Sequence, residues 1–300
     1  MEVGKVLAIL LQGSMMVSVL AIGMSASVSD ILYLWHRPGL LLRSFLAMYI
    51  VVPLIAVALV LLMPLSPGGS LGLVLVAISA GAPLLPKTML KLGCNPPYVY
   101  SLLVSTSLLA VLTIPTSLVA ISPVLPENVR VSALSVAVVV ARTFLVPLAV
   151  GMLFRYLAPL TADRIRGPVM MVAGLVLMTT LLGLLVLSFS SVLAIDLPSF
   201  GAIAIVTFAG LAIGHLFGGP EPGDRTCLAL ASSSRHLGLA AVIALTNFPE
   251  ARPLPFVFVF MAVSIVANIL YAAYWRKKQI AARPLSRQVT DQGPLEKLVG

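Results

Sequence analysis

The run from about Thr226 to Asn247 is apolar except for Ser232-Ser233-Ser234-Arg235-His236-Leu237-Gly238 in its middle. Drawn as a helix, it puts Arg235 roughly 14 Å from its start, at the centre of a hydrocarbon layer about 30 Å thick. A permanent cation there costs roughly 2.5–3.5 kcal/mol on insertion scales, so it must face a partner, a polar cavity or a ligand. Three serines and a glycine beside it bond to backbone groups, or loosen the helix until its polar groups line a cavity. Two uses follow: an arginine that glues neighbouring helices through their carbonyls, or a transport site. The functional default for intramembrane ions favours transport.

Composition says that the chain is made for lipid. Of its 300 residues 60% are hydrophobic and 10% charged, against about 25% charged in a soluble domain. The net charge of +9 would suit nucleic acid in a soluble protein. Here the basic residues sit in short loops and the tail, a membrane-topology pattern, so no nucleic-acid partner is expected. Two cysteines, Cys94 and Cys227, are too few for a disulfide framework. Glu2 to Lys5, an apolar stretch and Ser25-Ala26-Ser27 resemble a signal peptide, but the apolar run reaches from Val6 to Val28. That is longer than a signal core, so it reads as a retained span.

Windows of about 20 apolar residues mark nine spans: roughly 6–28, 39–63, 71–92, 97–121, 131–156, 167–190, 198–218, 226–247 and 254–275. Twelve basic residues, from Arg37 to Lys297, fall on the loop set that includes the C-terminal tail; three, Lys5, Arg130 and Arg252, fall on the other. The bias puts the N-terminus outside and the C-terminus in the cytoplasm of a plasma (inner) membrane. Residues 279–300 mix charge, Gly and Pro without apolar periodicity and read as a disordered tail.

A second break lies in Gly81-Ala82-Pro83-Leu84-Leu85-Pro86-Lys87-Thr88. Two prolines three residues apart each remove a donor and clash with the preceding turn, so a continuous helix is not expected. Lys87 is close enough to the span's end to snorkel or to serve a site. One interrupted helix in each half, five spans apart, is the pointer to a midplane transporter site between inverted repeats. The fold class is therefore an all-α polytopic membrane protein with an inverted repeat and two discontinuous crossing helices. Candidate substrate-binding residues are Pro83, Lys87, Thr88, Ser232, Ser233, Ser234, Arg235, His236 and Asn268, supported by Ser101, Ser105 and Ser264. Ser101 and Ser105, like Ser264 and Asn268, are spaced i,i+4 and share helix faces. His215 and Arg142 read as interfacial or packing residues. None of the ten acids lies deep in a span; carboxylates are the usual intramembrane relays or ligands for Na⁺ and H⁺. No metal cluster, phosphate loop or nucleophile elbow occurs, so no enzyme, cofactor or resident metal is expected.

From Ser14 to Trp275 the chain resembles the bile acid:sodium symporter family. The anchors are Ala21-Ile22-Gly23-Met24-Ser25 with Arg37-Pro38, then Leu92-Gly93-Cys94-Asn95-Pro96, then Gly238-Leu239-Ala240-Ala241. The resemblance implies a core (about 39–121 and 198–275) with two crossed broken helices, moving against a panel (about 6–28 and 131–190). It implies secondary transport of organic anions, and nine spans where relatives often have ten. Departures cluster at the ion sites. Sodium-coupled relatives carry Glu-x-Gly-x-Gln-Asn where this chain has Ala231, Ser233, Arg235 and His236. Their Ser-Asn falls on Leu85-Pro86, and a glutamine before the second-span proline falls on Met48. Na⁺ remains a co-substrate only by resemblance, since its ligands are replaced. Arg235, with Lys87, would supply positive charge instead, leaving uniport, exchange or proton coupling through His236. The expected partners are a small organic anion and the lipid bilayer; a homo-oligomer is compatible with the reading. Two other functions stay open: export of a neutral or metalloid solute, where Cys94 would matter, and a membrane ligand sensor that does not transport.

Overall fold

The computed structural model describes residues 2–25, 28–79, 81, 86–125, 133–248 and 250–281, and every regular element among them is helical. In chain order these are α1 (Glu2–Ser25), α2 (Val28–Trp35), α3 (Pro38–Leu62), α4 (Pro67–Ile78), α5 (Pro86–Lys91), α6 (Pro96–Ile121), α7 (Leu134–Leu157), α8 (Pro159–Leu187), α9 (Leu197–Phe217), α10 (Pro222–Ser233), α11 (Leu237–Asn247) and α12 (Leu254–Ala281). A one-turn helix, Phe189–Leu193, separates α8 from α9.

By length and composition six helices can cross a membrane: Lys5–Ser25 of α1, α3, α7, α8, α9 and Leu254–Trp275 of α12. A seventh is α6 taken across its 54° bend. Pro115 explains that bend: its ring displaces the carbonyl four residues back, at Val111. The expected count of nine crossings is therefore not reached by continuous helices among the described residues. The stretches expected as spans 71–92 and 226–247 are split, into α4 and α5 and into α10 and α11. Large apolar side chains face outwards, Leu160, Leu62 and Leu182 among them; a bilayer removes the penalty that water would impose.

Helix α1 packs against α7 and α8, while α4, α9, α10, α11 and α12 pack among themselves, and α11 also reaches α1. Glycines bring α9 and α10 together. At Gly214 an added Cβ would sit 2.3 Å from the Leu228 carbonyl oxygen and 2.5 Å from the Ala229 Cα; Gly210 and Gly218 meet the backbone of Ser232 and Arg225 in the same way. Small residues every fourth position allow this approach without a hydrophobic drive between helices.

The starts of α4 and α9 are capped by side chains. Asp196 precedes α9 and accepts from the Ser199 backbone N–H (2.9 Å) and the Ser199 hydroxyl (2.9 Å). The Ser66 hydroxyl, which itself caps α4 by accepting from Gly69 N–H, donates to the same carboxylate at 3.3 Å. The beginnings of α4 and α9 are tied by one acid. Partial burial pushes the Asp196 carboxyl up, but the hydrogen bonds to its ionised form outweigh it, and its pKa falls below the ordinary 3.8.

Gly214→Val should lower the unfolding midpoint in detergent by the equivalent of about 1–3 kcal/mol or more, since backbone atoms cannot give way. Gly13→Ala, where a Cβ meets nothing within 4 Å, should leave it unchanged or slightly raised. Asp196→Ala should cost roughly 1 kcal/mol. Because the folded pKa is depressed, that contribution is complete above the ordinary value and disappears as pH falls through the lowered one. Thermal melts of both proteins should converge in acid and separate near neutrality.

Candidate functional site

Helix α4 stops at Ile78, and α10 stops at Ser233. The backbone beyond each is not helical: Ser79 has φ −82° and ψ 72°, Ser234 φ −94° and ψ 123°. The two ends meet where the His236 backbone N–H donates to the Ser79 carbonyl at 2.8 Å. The interrupted helices thus meet at their ends, each lending the other the backbone partner that its break had removed. The break in the first half begins at Ser79, ahead of Pro83. Gly81, at φ +86°, completes it in a conformation that favours glycine, and a Cβ there would lie 2.7 Å from the Thr106 hydroxyl.

Between α10 and α11 the chain is extended, so successive side chains leave on opposite sides. Arg235, 2% exposed, points to α3, where its Nη1 donates to the Met48 carbonyl at 2.9 Å. That carbonyl is free for a local reason. Residues Leu46–Val51 form a π-turn in which the Val52 N–H reaches back to Ala47. The next residue, Pro53, has no N–H to offer. Tyr49 fixes the turn by donating from its hydroxyl to the Thr106 carbonyl at 2.8 Å. The Arg235 Nε and Nη2 have no partner. Among the described residues the ion pairs are those of Asp163 with Arg155 and Arg166, so no carboxylate offsets Arg235.

His236 takes the other side. Its ring meets Phe144 edge-on at 4.7 Å, in a second π-turn, Ala141–Leu145 of α7, also followed by Val-Pro. Its Nδ1 accepts from the Leu239 N–H at 3.1 Å and so caps α11. An N–H can only donate, which places the proton of the neutral ring on Nε2; that atom is buried without a partner, as is the Ser232 hydroxyl. Gly238 keeps the approach to α1 and α8 open: a Cβ there would lie 3.3 Å from the Met15 sulfur and 3.6 Å from a Leu177 methyl.

Asn268 of α12 bridges the linker. It accepts from the Ser233 hydroxyl at 2.7 Å and donates to the Ser234 oxygen at 2.7 Å. Ser232, Ser233, Ser234, Arg235, His236 and Asn268 are therefore gathered where the two broken helices meet. Other expected residues lie elsewhere. Ser101 and Ser105 accept from the Leu34 N–H and the Trp35 indole N–H and hold α2. Ser264 donates to the Met261 carbonyl of its own helix, and Thr88 is exposed. Pro83 lies outside the described residues, as does the side chain of Lys87. His215 is in a ring cluster with Tyr271 and Trp275, its Nδ1 2.8 Å from the Tyr271 hydroxyl. Arg142 is exposed, and Cys94 is buried against Cys227. Tyr49, Phe144 and Ser79 were not singled out in the sequence, and Met48 entered only through the resemblance, as the place of a relative's glutamine. A proline five residues after Met48, preceded by valine, is the signal that would have found the first π-turn.

Two voids of about 10 Å³ adjoin the π-turn of α3, both lined by Met48, Leu102 and Thr106. Each has room for about one water. Among the described residues no three His, Cys, Asp or Glu could hold a metal ion together. Residues 9–212 match the model of the Sodium Bile acid symporter family, a segment that contains α4 and ends before α10. No curated protein matches the chain.

Replacing Asn268 by Leu should cost roughly 2 kcal/mol, because Ser233 and Ser234 lose a buried partner together. Thermal unfolding in detergent measures it; an unchanged midpoint would mean that the clamp does not hold the linker.

Proposed function

The chain belongs to the sodium bile acid symporter family, and from that premise we propose a secondary transporter that moves a small organic anion by alternating access at the α4–α10 crossing. The observation that carries this reading is the guanidinium of Arg235, buried with Nε and Nη2 unpartnered and with no carboxylate beside it among the described residues. A buried cation with spare donors is an anion site by chemistry: two adjacent N–H groups match the oxygens of a carboxylate. His236 adds a neutral donor on the opposite face, towards α1, α7 and α8.

A sodium ion does not fit these side chains. It needs oxygen acceptors, and here Arg235 offers donors and a fixed positive charge. The Met48 carbonyl, which Pro53 sets free, is already taken by the guanidinium. Proton coupling through His236 fits no better, because both imidazole nitrogens would have to donate while one faces the Leu239 N–H. In this reading α1, α7 and α8 form the panel against which the crossing moves, and nine membrane passes result if each broken pair crosses once.

Flux of organic acids into proteoliposomes should proceed at the same rate, within about a factor of two, when choline replaces Na⁺. Arg235→Ala should abolish at least about nine-tenths of it in protein that still elutes as a single species, a loss of more than 1.4 kcal/mol in the transport step. A strict sodium requirement would contradict the tethered-cation reading, and binding without flux would point to a sensor.

A further inference from the structure

The same crossing sets the mode of transport, an inference that rests on the anion-carrier reading above. Three observations fix the charge that the described residues bring to it. Arg235 is a permanent cation with a single acceptor, the neutral Met48 carbonyl, and no carboxylate. Tyr49 beside it spends its hydroxyl proton on the Thr106 carbonyl and stays a neutral phenol. His236 carries its proton on Nε2 and accepts at Nδ1, so the ring adds no charge. The described residues therefore bring one positive charge to the crossing, fixed covalently to the element that has to move.

We infer that the protein is an obligatory, electroneutral exchanger of singly charged anions. Paired with a monoanion, the crossing is neutral, and the guanidinium Nε and Nη2 gain acceptors. It then passes through the low-dielectric layer at small cost. Unpaired, the same step drags a bare cation and its unsatisfied donors through hydrocarbon, which is strongly opposed. A sodium-coupled carrier avoids the problem by releasing its cation before returning; a side chain cannot be released. The return leg therefore has to carry a second anion, and the carrier cycles only between loaded forms. Dianions leave the crossing negative and are disfavoured for the same reason.

The full chain is reconstituted in liposomes filled with either an unlabelled monocarboxylate (lactate, pyruvate or benzoate) or sulfate alone, and uptake of the same radiolabelled acid is followed. Exchange predicts uptake at least about tenfold faster into the monocarboxylate-filled vesicles, no response to a potassium–valinomycin potential of about 100 mV, and poor uptake of succinate. Arg235→Gln should bring the ratio of the two fillings towards one, and Arg235→Lys should keep it high. Equal uptake into both fillings by the unaltered protein, or a severalfold response to the potential, overturns exchange while leaving an anion carrier. No uptake of any acid from either filling overturns the carrier reading and exchange with it.

Discussion

A carbonyl that no backbone amide can reach holds Arg235 in place. Pro53 withholds the donor that a π-turn would require, and Val52 has already spent its own on Ala47. The Met48 carbonyl is thus left facing the interior, in a medium where an unsatisfied group costs several kcal/mol. The guanidinium answers it at 2.9 Å. One proline thereby creates the acceptor, the acceptor orients the cation, and the cation's remaining donors define what the crossing can bind. The second π-turn ends in the same Val-Pro and touches the other linker residue through Phe144. Each side of the extended linker is met by an irregular turn of a long helix, the kind of local distortion that recurs at functional sites.

The rest of the architecture keeps that linker extended. Ser79 and His236 exchange the backbone bond that the two breaks left open. Asn268 ties Ser233 and Ser234 from α12, and the glycine face of α9 lets α10 lie close enough to bring the linker to the centre. Ser66 and Asp196 pin the outer ends of α4 and α9 to each other. Helices with nothing hydrophobic to gain from one another in lipid are thus held by close backbone approach and by a few hydrogen bonds, each expensive to break.

Much of this was legible in the sequence, and what was not has physical reasons. Arg235 in an apolar run forces a polar destination wherever the helix ends, so its burial and the break around it could be read from energy alone. The position of the first break could not: prolines at 83 and 86 drew attention, while α4 stops at Ile78, where Ser79 gives its carbonyl to His236 and Gly81 takes a positive φ. A π-turn leaves no periodic trace, so Tyr49 and Phe144 were invisible as contacts, and Met48 was marked only by the resemblance. Asn268 was expected to line the site and does reach it, but through two serines that consume its amide. Ser101 and Ser105 share a face as their spacing requires; that face meets α2. The opposite directions of Arg235 and His236 follow only once the linker is extended, since a helix would have spaced them about 100° apart.

The central claim is that the free donors of Arg235 receive an anion. Crystals of the protein grown without sodium and soaked in bromoacetate would test it most directly through the anomalous signal of bromine. The account predicts a carboxylate within hydrogen-bonding distance of Nε and Nη2. A guanidinium closed on further protein acceptors, with bromoacetate bound elsewhere, would contradict it.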